Sequence, residues 1–324
     1  MRPANLVSSI NDGLRTEMRL DERVITFGED IGVNGGVFRA TTGLQEEFGA
    51  SRCFDTPLAE SVAVGSALGM AAAGLRPVVE IQFSGFIWTA FNQIINHVAR
   101  IRTRTQGAFT APMVIRMPYG GGVRALEHHS ESMEAILAHV PGIKVVIPST
   151  PHDAKGLLIA AIRDPDPVIF MEPKRVYQAP RQEIPEGDFV IPLGTARVVV
   201  SGADLTIVSY GAQMKEAVAA ARQLDGEASA EVIDLRTIYP PDLATVVESV
   251  RKTGRLLVVH EGPRSYGVGA ELTSTVAEQA FLHLEAPPAR LTGSDIIVPL
   301  PRHERHYLIG VADIVSAARR LLSY

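Results

Sequence analysis

Asp55-Thr-Pro-Leu-Ala-Glu60-Ser-Val-Ala-Val-Gly-Ser-Ala-Leu-Gly-Met70-Ala-Ala-Ala-Gly74-Leu-Arg-Pro77-Val-Val-Glu80-Ile-Gln-Phe83 is the stretch around which the rest of the chain is organised. Thr56 and Pro57 read as an N-cap and a proline in the first helical position. Gly74 reads as the glycine that closes the helix, and Pro77 stops any continuation. Between them the side chains are small: Ala63, Gly65, Ser66, Ala67, Gly69, Ala71, Ala72 and Ala73. A helix this small all round lets another backbone, or a flat ligand, come close. A strand is expected from Val78 to Phe83.

Glu60 is the one ionisable group in that helix. The helix dipole alone favours a first-turn glutamate. Here, however, a carboxylate opens an apolar, closely packing helix, and desolvation is costly without a partner. Glu60 is therefore expected to meet a donor across an interface or on a ligand.

Working outward, 324 residues lead one to expect about two domains. The 46% hydrophobic and 21% charged content is that of a globular protein. A net charge of −5 gives no electrostatic footprint for nucleic acid. No apolar run approaches the roughly 18 residues that span a bilayer, so no membrane partner is expected. Met1 to Ile10 lacks a signal-peptide core, and the single cysteine, Cys53, excludes internal disulfides. The expected compartment is the cytoplasm, or the mitochondrial matrix if a targeting segment was removed.

Strands alternate with helices from end to end, which means α/β architecture with mainly parallel sheets. The first domain is expected over 1–180. Its helices run from Leu6 to Met18, Phe86 to Arg104 and Ala154 to Ile162, the last capped by Ser149 or Thr150 before Pro151. Its strands are Val24–Gly28, Val78–Phe83, Pro112–Met117, Pro141–Ile147 and Val168–Phe170. Pro180, Pro185, Gly187 and Pro192 mark a linker over 181–200, and a second three-layer α/β domain follows over 201–324.

Outside Glu60, four features invite a chemical reading. Gly28 to Gly36 matches no phosphate-loop spacing and reads as a strand-end turn. His128 and His129 are adjacent in a loop, which is ordinarily an exposed and idle arrangement. This loop, however, follows a strand end in a β/α pattern, where ligands bind, and histidine suits proton transfer near neutral pH. Asp164 and Asp166 flank Pro165 as turn formers, or join carbonyl oxygens around a hard cation. His303 and His306 have no third ligand beside them and read as surface or interface residues. Nothing forms a complete active site, so a partner chain is expected.

Val24-Ile-Thr-Phe-Gly-Glu-Asp-Ile-Gly, Gly35-Gly-Val-Phe, Asp55-Thr-Pro-Leu-Ala-Glu, Gly74-Leu-Arg-Pro, Glu80-Ile-Gln-Phe, His129-Ser130, Asp153-Ala-Lys-Gly-Leu and Met171-Glu-Pro-Lys-Arg together resemble one family. It is the β subunit of the thiamine-diphosphate-dependent decarboxylase component of 2-oxo acid dehydrogenase complexes. The resemblance runs from about residue 5 to the C-terminus. It implies a transketolase-like pyrimidine-binding domain and a transketolase-like C-terminal domain. It also implies an α2β2 heterotetramer in which the α subunit holds Mg2+ and the diphosphate. The C-terminal domain would contact the second β subunit and dock the lipoyl-bearing acyltransferase core.

By the same resemblance, Glu60 hydrogen-bonds the pyrimidine ring and favours its imino tautomer, while Phe86 and Leu58 line the pyrimidine pocket. His129 donates a proton during reductive acylation of the lipoyl group, with His128 adjacent. Met113, Ala161, Ile162, Asp164 and Asp166 fall where some members hold a potassium ion. The Met171-Glu-Pro-Lys-Arg segment points to a branched-chain 2-oxo acid, with pyruvate and acetoin as the alternatives. A non-catalytic assembly subunit is the reading from another class.

Overall fold

The computed structural model describes residues 1–324. The first sheet has seven strands in the order Thr237–Tyr239, Lys144–Val146, Val168–Pro173, Val114–Tyr119, Arg76–Glu80, Val24–Gly28 and Cys53–Asp55. Every pairing is parallel except that of the edge strand Thr237–Tyr239. All six residues of Val114–Tyr119 are buried, as a parallel strand covered on both faces requires. The helices Leu6–Leu20 and Pro151–Arg163 pack against one another on this sheet.

Thr150 caps Pro151–Arg163, as its sequence announces. The hydroxyl oxygen accepts the Asp153 amide at 3.1 Å, and Pro151 occupies the first turn. Thr150→Ala is expected to cost about 1 kcal/mol, read as a lower urea midpoint with the fold retained.

The second sheet has five strands in the order Ala289–Gly293, Leu256–Pro263, Leu205–Ser209, Ala230–Asp234 and Arg197–Val200, the last antiparallel. Leu205 and Ile207 enter one core with the helices Met214–Gln223 and Val311–Leu322. Val208 enters another, with Leu243–Thr253 and Val268–Gln279. The period-two alternation thus places helices on both faces. The second of these cores is continuous with that of the first sheet. The two sheets therefore share one apolar interior.

The stretch 181–200, expected as a linker, carries two strands. Gln182–Ile184 pairs antiparallel with Arg2–Ala4, and Arg197–Val200 closes one edge of the second sheet. The edge strand Thr237–Tyr239 was not expected at all. It comes from between strands of the second sheet and pairs with Lys144–Val146 of the first.

Two local expectations are corrected. The small-residue helix begins at Glu60 with Ala59 as N-cap, not at Thr56. The Thr56 amide is taken by the Gly28 carbonyl at 2.9 Å, which keeps the Asp55–Ala59 segment outside the helix. At the other end Gly74 does close the helix: its φ is +95°, its amide reaches Ala71 and that of Leu75 reaches Met70. The second correction concerns residues 86–104. A single helix was expected, but Ser84–Ala90 is a 3-10 turn and Ile94–Val98 a π turn, with short α segments after each. The Ala99 amide reaches back to Ile94 at 2.9 Å, a widened turn of the kind found at functional sites.

Candidate active site

The carboxyl ends of four neighbouring parallel strands, at Gly28, Glu80, Tyr119 and Pro173, open into loops at one end of the sheet. Ligands bind at that end in open α/β sheets. Glu60 enters from the small-residue helix, whose first turn lies against Ser84–Ala90. One of its carboxylate oxygens, Oε2, accepts the Thr89 hydroxyl at 2.8 Å, and that is the one hydrogen bond its side chain makes. The other oxygen has no donor in the chain.

Glu29, at the end of strand Val24–Gly28, is a second carboxylate at this place and is nearly fully buried. Burial, and then repulsion by Glu60, push its carboxyl up to about 7. A carboxyl raised by folding stabilises the chain only while protonated. This one therefore costs stability as pH rises from about 4.5 to about 7. Sequence reasoning passed over Glu29 because it saw only glycines and a turn there. The available signal was an acid directly after a strand's carboxyl end.

The histidine loop folds onto the same site. The His129 ring lies 4.4 Å from Phe83 and 5.2 Å from Phe86, edge-on to both. Its Nδ1 is buried without a partner. His128 is exposed, with Nδ1 3.9 Å from a Glu131 oxygen. The Glu131 carbonyl takes the Ser84 hydroxyl at 2.7 Å, which ties the loop to the 3-10 turn. At Gly85 a Cβ would fall on the His128 carbonyl, so only glycine allows this approach. Glu60, Phe86 and His129, far apart in sequence, thus come together through Ser84–Ala90. Leu58 stands at the rim with 81% of its surface exposed.

That rim is apolar and open. Val33, Val37, Leu58, Val62 and Trp88 are all exposed, on segments that neighbour one another. An apolar surface around a carboxylate with one free oxygen and an imidazole with one unpartnered nitrogen has the makings of half a site. The half present fits an aromatic heterocycle with hydrogen-bonding nitrogens: Phe86 offers a ring face and Glu60 an unpaired acceptor.

Every residue of the potassium set has a partner within the chain. The carbonyls of Ile162 and Asp164 accept the Arg76 guanidinium, at 2.8 and 3.4 Å. Those of Met113 and Ala161 accept the Val168 and Asp164 amides. The Asp164 and Asp166 carboxylates hold Lys144 and Arg102, at 2.5 and 2.6 Å. Each residue of the set already has a donor, and three cationic side chains surround it. The two aspartates act as turn formers, with the Asp166 amide on Asp164 at 2.9 Å. His303 and His306 are exposed, their rings 6.3 Å apart.

The comparisons with known proteins cover both halves of the chain. The transketolase pyrimidine-binding domain family matches residues 3–180, and the transketolase C-terminal domain family matches 194–314. The pyruvate dehydrogenase E1 component subunit beta of Acholeplasma laidlawii is 52% identical over 317 residues, 98% of this chain and 97% of its own. The protein of that name from Bacillus subtilis is 49% identical over the whole of both chains.

This chain belongs to the E1 β-subunit family of 2-oxo acid dehydrogenase complexes.

The family is associated with thiamine diphosphate, and its β subunits work within dehydrogenase complexes. A solved split-gene transketolase, described as an inactive beta4 tetramer, superposes with a TM-score of 0.82 over 98% of each chain. At 21% identity it shows the fold alone: two transketolase-like α/β domains. No helix is long and apolar enough to cross a membrane.

Within this E1 β chain, the Met171-Glu-Pro-Lys-Arg segment has an internal role. Met171, Glu172 and Lys174 are buried. Glu172 pairs with Arg116 at 2.7 Å, and Lys174 donates to the Gly120 and His129 carbonyls. Burial pushes the Lys174 ammonium down to about 8. These side chains hold the base of the histidine loop rather than lining an open surface.

Proposed function

We propose that this chain is the β subunit of a pyruvate dehydrogenase E1 component. On this reading it supplies the pyrimidine half of a thiamine diphosphate site, and an α subunit completes that site with Mg2+ and diphosphate ligands in an α2β2 tetramer. The observation that carries the substrate is full-length identity near 50% to relatives named pyruvate dehydrogenase E1 β. The segment that had pointed to branched-chain acids is taken up inside the fold, and nothing else on the chain favours them. Bacterial relatives support a cytoplasmic location.

Bound thiamine diphosphate supplies an electron sink for decarboxylation of a 2-oxo acid. The residues of this chain do the rest of what is assigned to it. Glu60 would hold a ring nitrogen with its free oxygen, while Thr89 fixes the other oxygen of the carboxylate. Phe86 packs on the ring, and the Leu58 rim meets the α subunit. Phe83 and Phe86 flank His129, whose buried, unpartnered Nδ1 would move a proton during acyl transfer to a lipoyl disulfide. That transfer takes place on a lipoyl domain of the acyltransferase core.

The test is co-expression with the α subunit, followed by assays on pyruvate, 3-methyl-2-oxobutanoate and acetoin with an artificial electron acceptor. Pyruvate is expected to give the highest kcat/KM, and the β chain alone no turnover. Preference for the branched acid or for acetoin would overturn the substrate. Turnover by the isolated β chain would overturn the shared site.

A further inference from the structure

The run Gly120-Gly121-Gly122 follows strand Val114–Tyr119 and opens the histidine loop. A triple glycine there resembles a phosphate cradle, but its amides are taken. The Gly121 amide donates to Glu261 Oε1 at 2.7 Å. The Gly122 amide donates to Glu304 Oε1 at 2.7 Å, and the Arg124 amide to Glu304 Oε2 at 3.0 Å. Ser132, at the far end of the loop, donates to Glu261 at 3.4 Å. Both acceptors come from the second domain. Glu261 lies in strand Leu256–Pro263, and Glu304 starts the short turn Glu304–His306. Both are buried; Glu304 is 3% exposed.

The glycines are what make this contact sterically possible. At Gly120, with φ +80°, a Cβ would fall on the Glu261 carboxylate. Meanwhile the feet of the loop are held from within the first domain. The Gly120 amide reaches the Glu131 carbonyl at 3.0 Å, and the Lys174 ammonium spans the Gly120 and His129 carbonyls. The base of the loop is thus fixed by its own domain, and its rising limb by carboxylates from the other. Carboxylate acceptors on amides are charge-assisted and roughly twice as strong as neutral bonds. Removing Glu261 leaves the buried Gly121 N–H without its partner, and removing Glu304 frees the partly buried Gly122 and Arg124 N–H groups.

We propose that Glu261 and Glu304 are positioning residues, through which the second domain clamps the glycine run and sets where His129 stands. The chemical consequence rests on the reading of His129 given above. A histidine misplaced by an ångström loses up to about 100-fold in the step it serves, while steps it does not serve are untouched.

The experiment uses the α2β2 tetramer carrying Glu304→Ala or Glu304→Gln, with His129→Ala as control. Two rates are measured: decarboxylation of pyruvate with an artificial acceptor, and acylation of a free lipoyl domain. Hydrogen exchange is followed in peptides covering residues 120–132. Glu304→Ala is expected to lower lipoyl acylation ~10- to 100-fold, to leave artificial-acceptor turnover within about twofold, and to speed exchange in the loop selectively. Glu304→Gln keeps an acceptor for Gly122 but sets an amide against the Arg124 N–H, and is expected to fall between. Unchanged exchange in the loop would overturn the clamp. So would an equal fall in both rates, which would indicate general damage to the fold. If His129→Ala leaves lipoyl acylation intact while exchange in Glu304→Ala rises, the role given to His129 fails and the clamp stands.

Discussion

Glu60→Ala is expected to lower turnover of the α2β2 enzyme on pyruvate by about 10²–10⁴-fold with every acceptor, artificial or lipoyl. The size follows from place and chemistry together. Glu60 has one oxygen engaged by Thr89 at 2.8 Å and one without any donor in the chain. It heads a helix whose positions Val62, Ser66 and Gly69 are exposed, and it is itself only partly buried. A group that controls protonation of the cofactor ring acts before every later step, so the choice of acceptor makes no difference. On the proposed reading this separates it from His129, whose loss is expected to touch only the lipoyl step. The folded chain should barely register the substitution, since a single half-exposed hydrogen bond contributes about 1 kcal/mol. Thermal unfolding of the isolated β chain checks that point. Undiminished turnover in Glu60→Ala would mean that the chain assembles the complex without contributing chemistry, and would revive the assembly-subunit reading.

The alternation of strands and helices was readable where a strand is an apolar run, as at Val24–Gly28 and Leu205–Ser209, and where a helix is bounded by a proline, glycine or cap, as at Pro151–Arg163. Val24–Gly28 appears in the structure with the bounds its pattern announces. What could not be read was anything set by contact between distant segments. Thr56 and Pro57 carry the local chemistry of a helix start. The Gly28 carbonyl claims the Thr56 amide first, and the helix waits until Glu60. Phe86 to Arg104 has helical spacing throughout. Its actual breaks at Ser84–Ala90 and Ile94–Val98 show up in no hydrophobic period.

The site shows the same division. Glu60 stood out because a carboxylate in a small-residue helix violates the local pattern. Glu29, Glu261 and Glu304 did not, because acids next to turns are common, and their roles depend on what faces them. Asp164 and Asp166 were equally ambiguous in sequence. Only the positions of Arg76, Lys144 and Arg102 show that the ligands expected for an ion are already bonded within the chain.

Arg116→Met is expected to produce the largest loss of stability of any single change at this end of the sheet, about 3–5 kcal/mol at neutral pH. Arg116 lies in the central strand Val114–Tyr119 and is 1% exposed. It donates to Glu80 at 2.8 Å and to Glu172 at 2.7 Å, and Tyr177 donates to Glu172 from the other side at 2.5 Å. One guanidinium thus serves two buried carboxylates on the flanking strands. Burial already raises the Glu172 carboxyl even with Arg116 present, and the attraction of Arg116 is the largest influence opposing that rise. Remove the guanidinium and the carboxyl rises further. A group whose pKa is raised by folding favours the folded chain below its unfolded pKa and loses that advantage as pH climbs through the folded one. The deficit of Arg116→Met should therefore shrink towards about pH 5 and widen towards about pH 8, read from urea midpoints across that range. A deficit independent of pH would mean that lost packing, not stranded charge, is the cause. Adding Glu80→Leu, Glu172→Leu and Tyr177→Phe, the last because its hydroxyl would otherwise be stranded, should recover most of the stability at every pH, since an apolar set of similar volume often matches a buried ion cluster. Recovered stability need not restore activity. Glu80 and Glu172 sit where their strands run on into Phe83 and Lys174. Those two residues set the ring beside His129 and the feet of its loop. The buried cluster therefore joins three adjacent strands under the site, and the chemistry above depends on the spacing it holds.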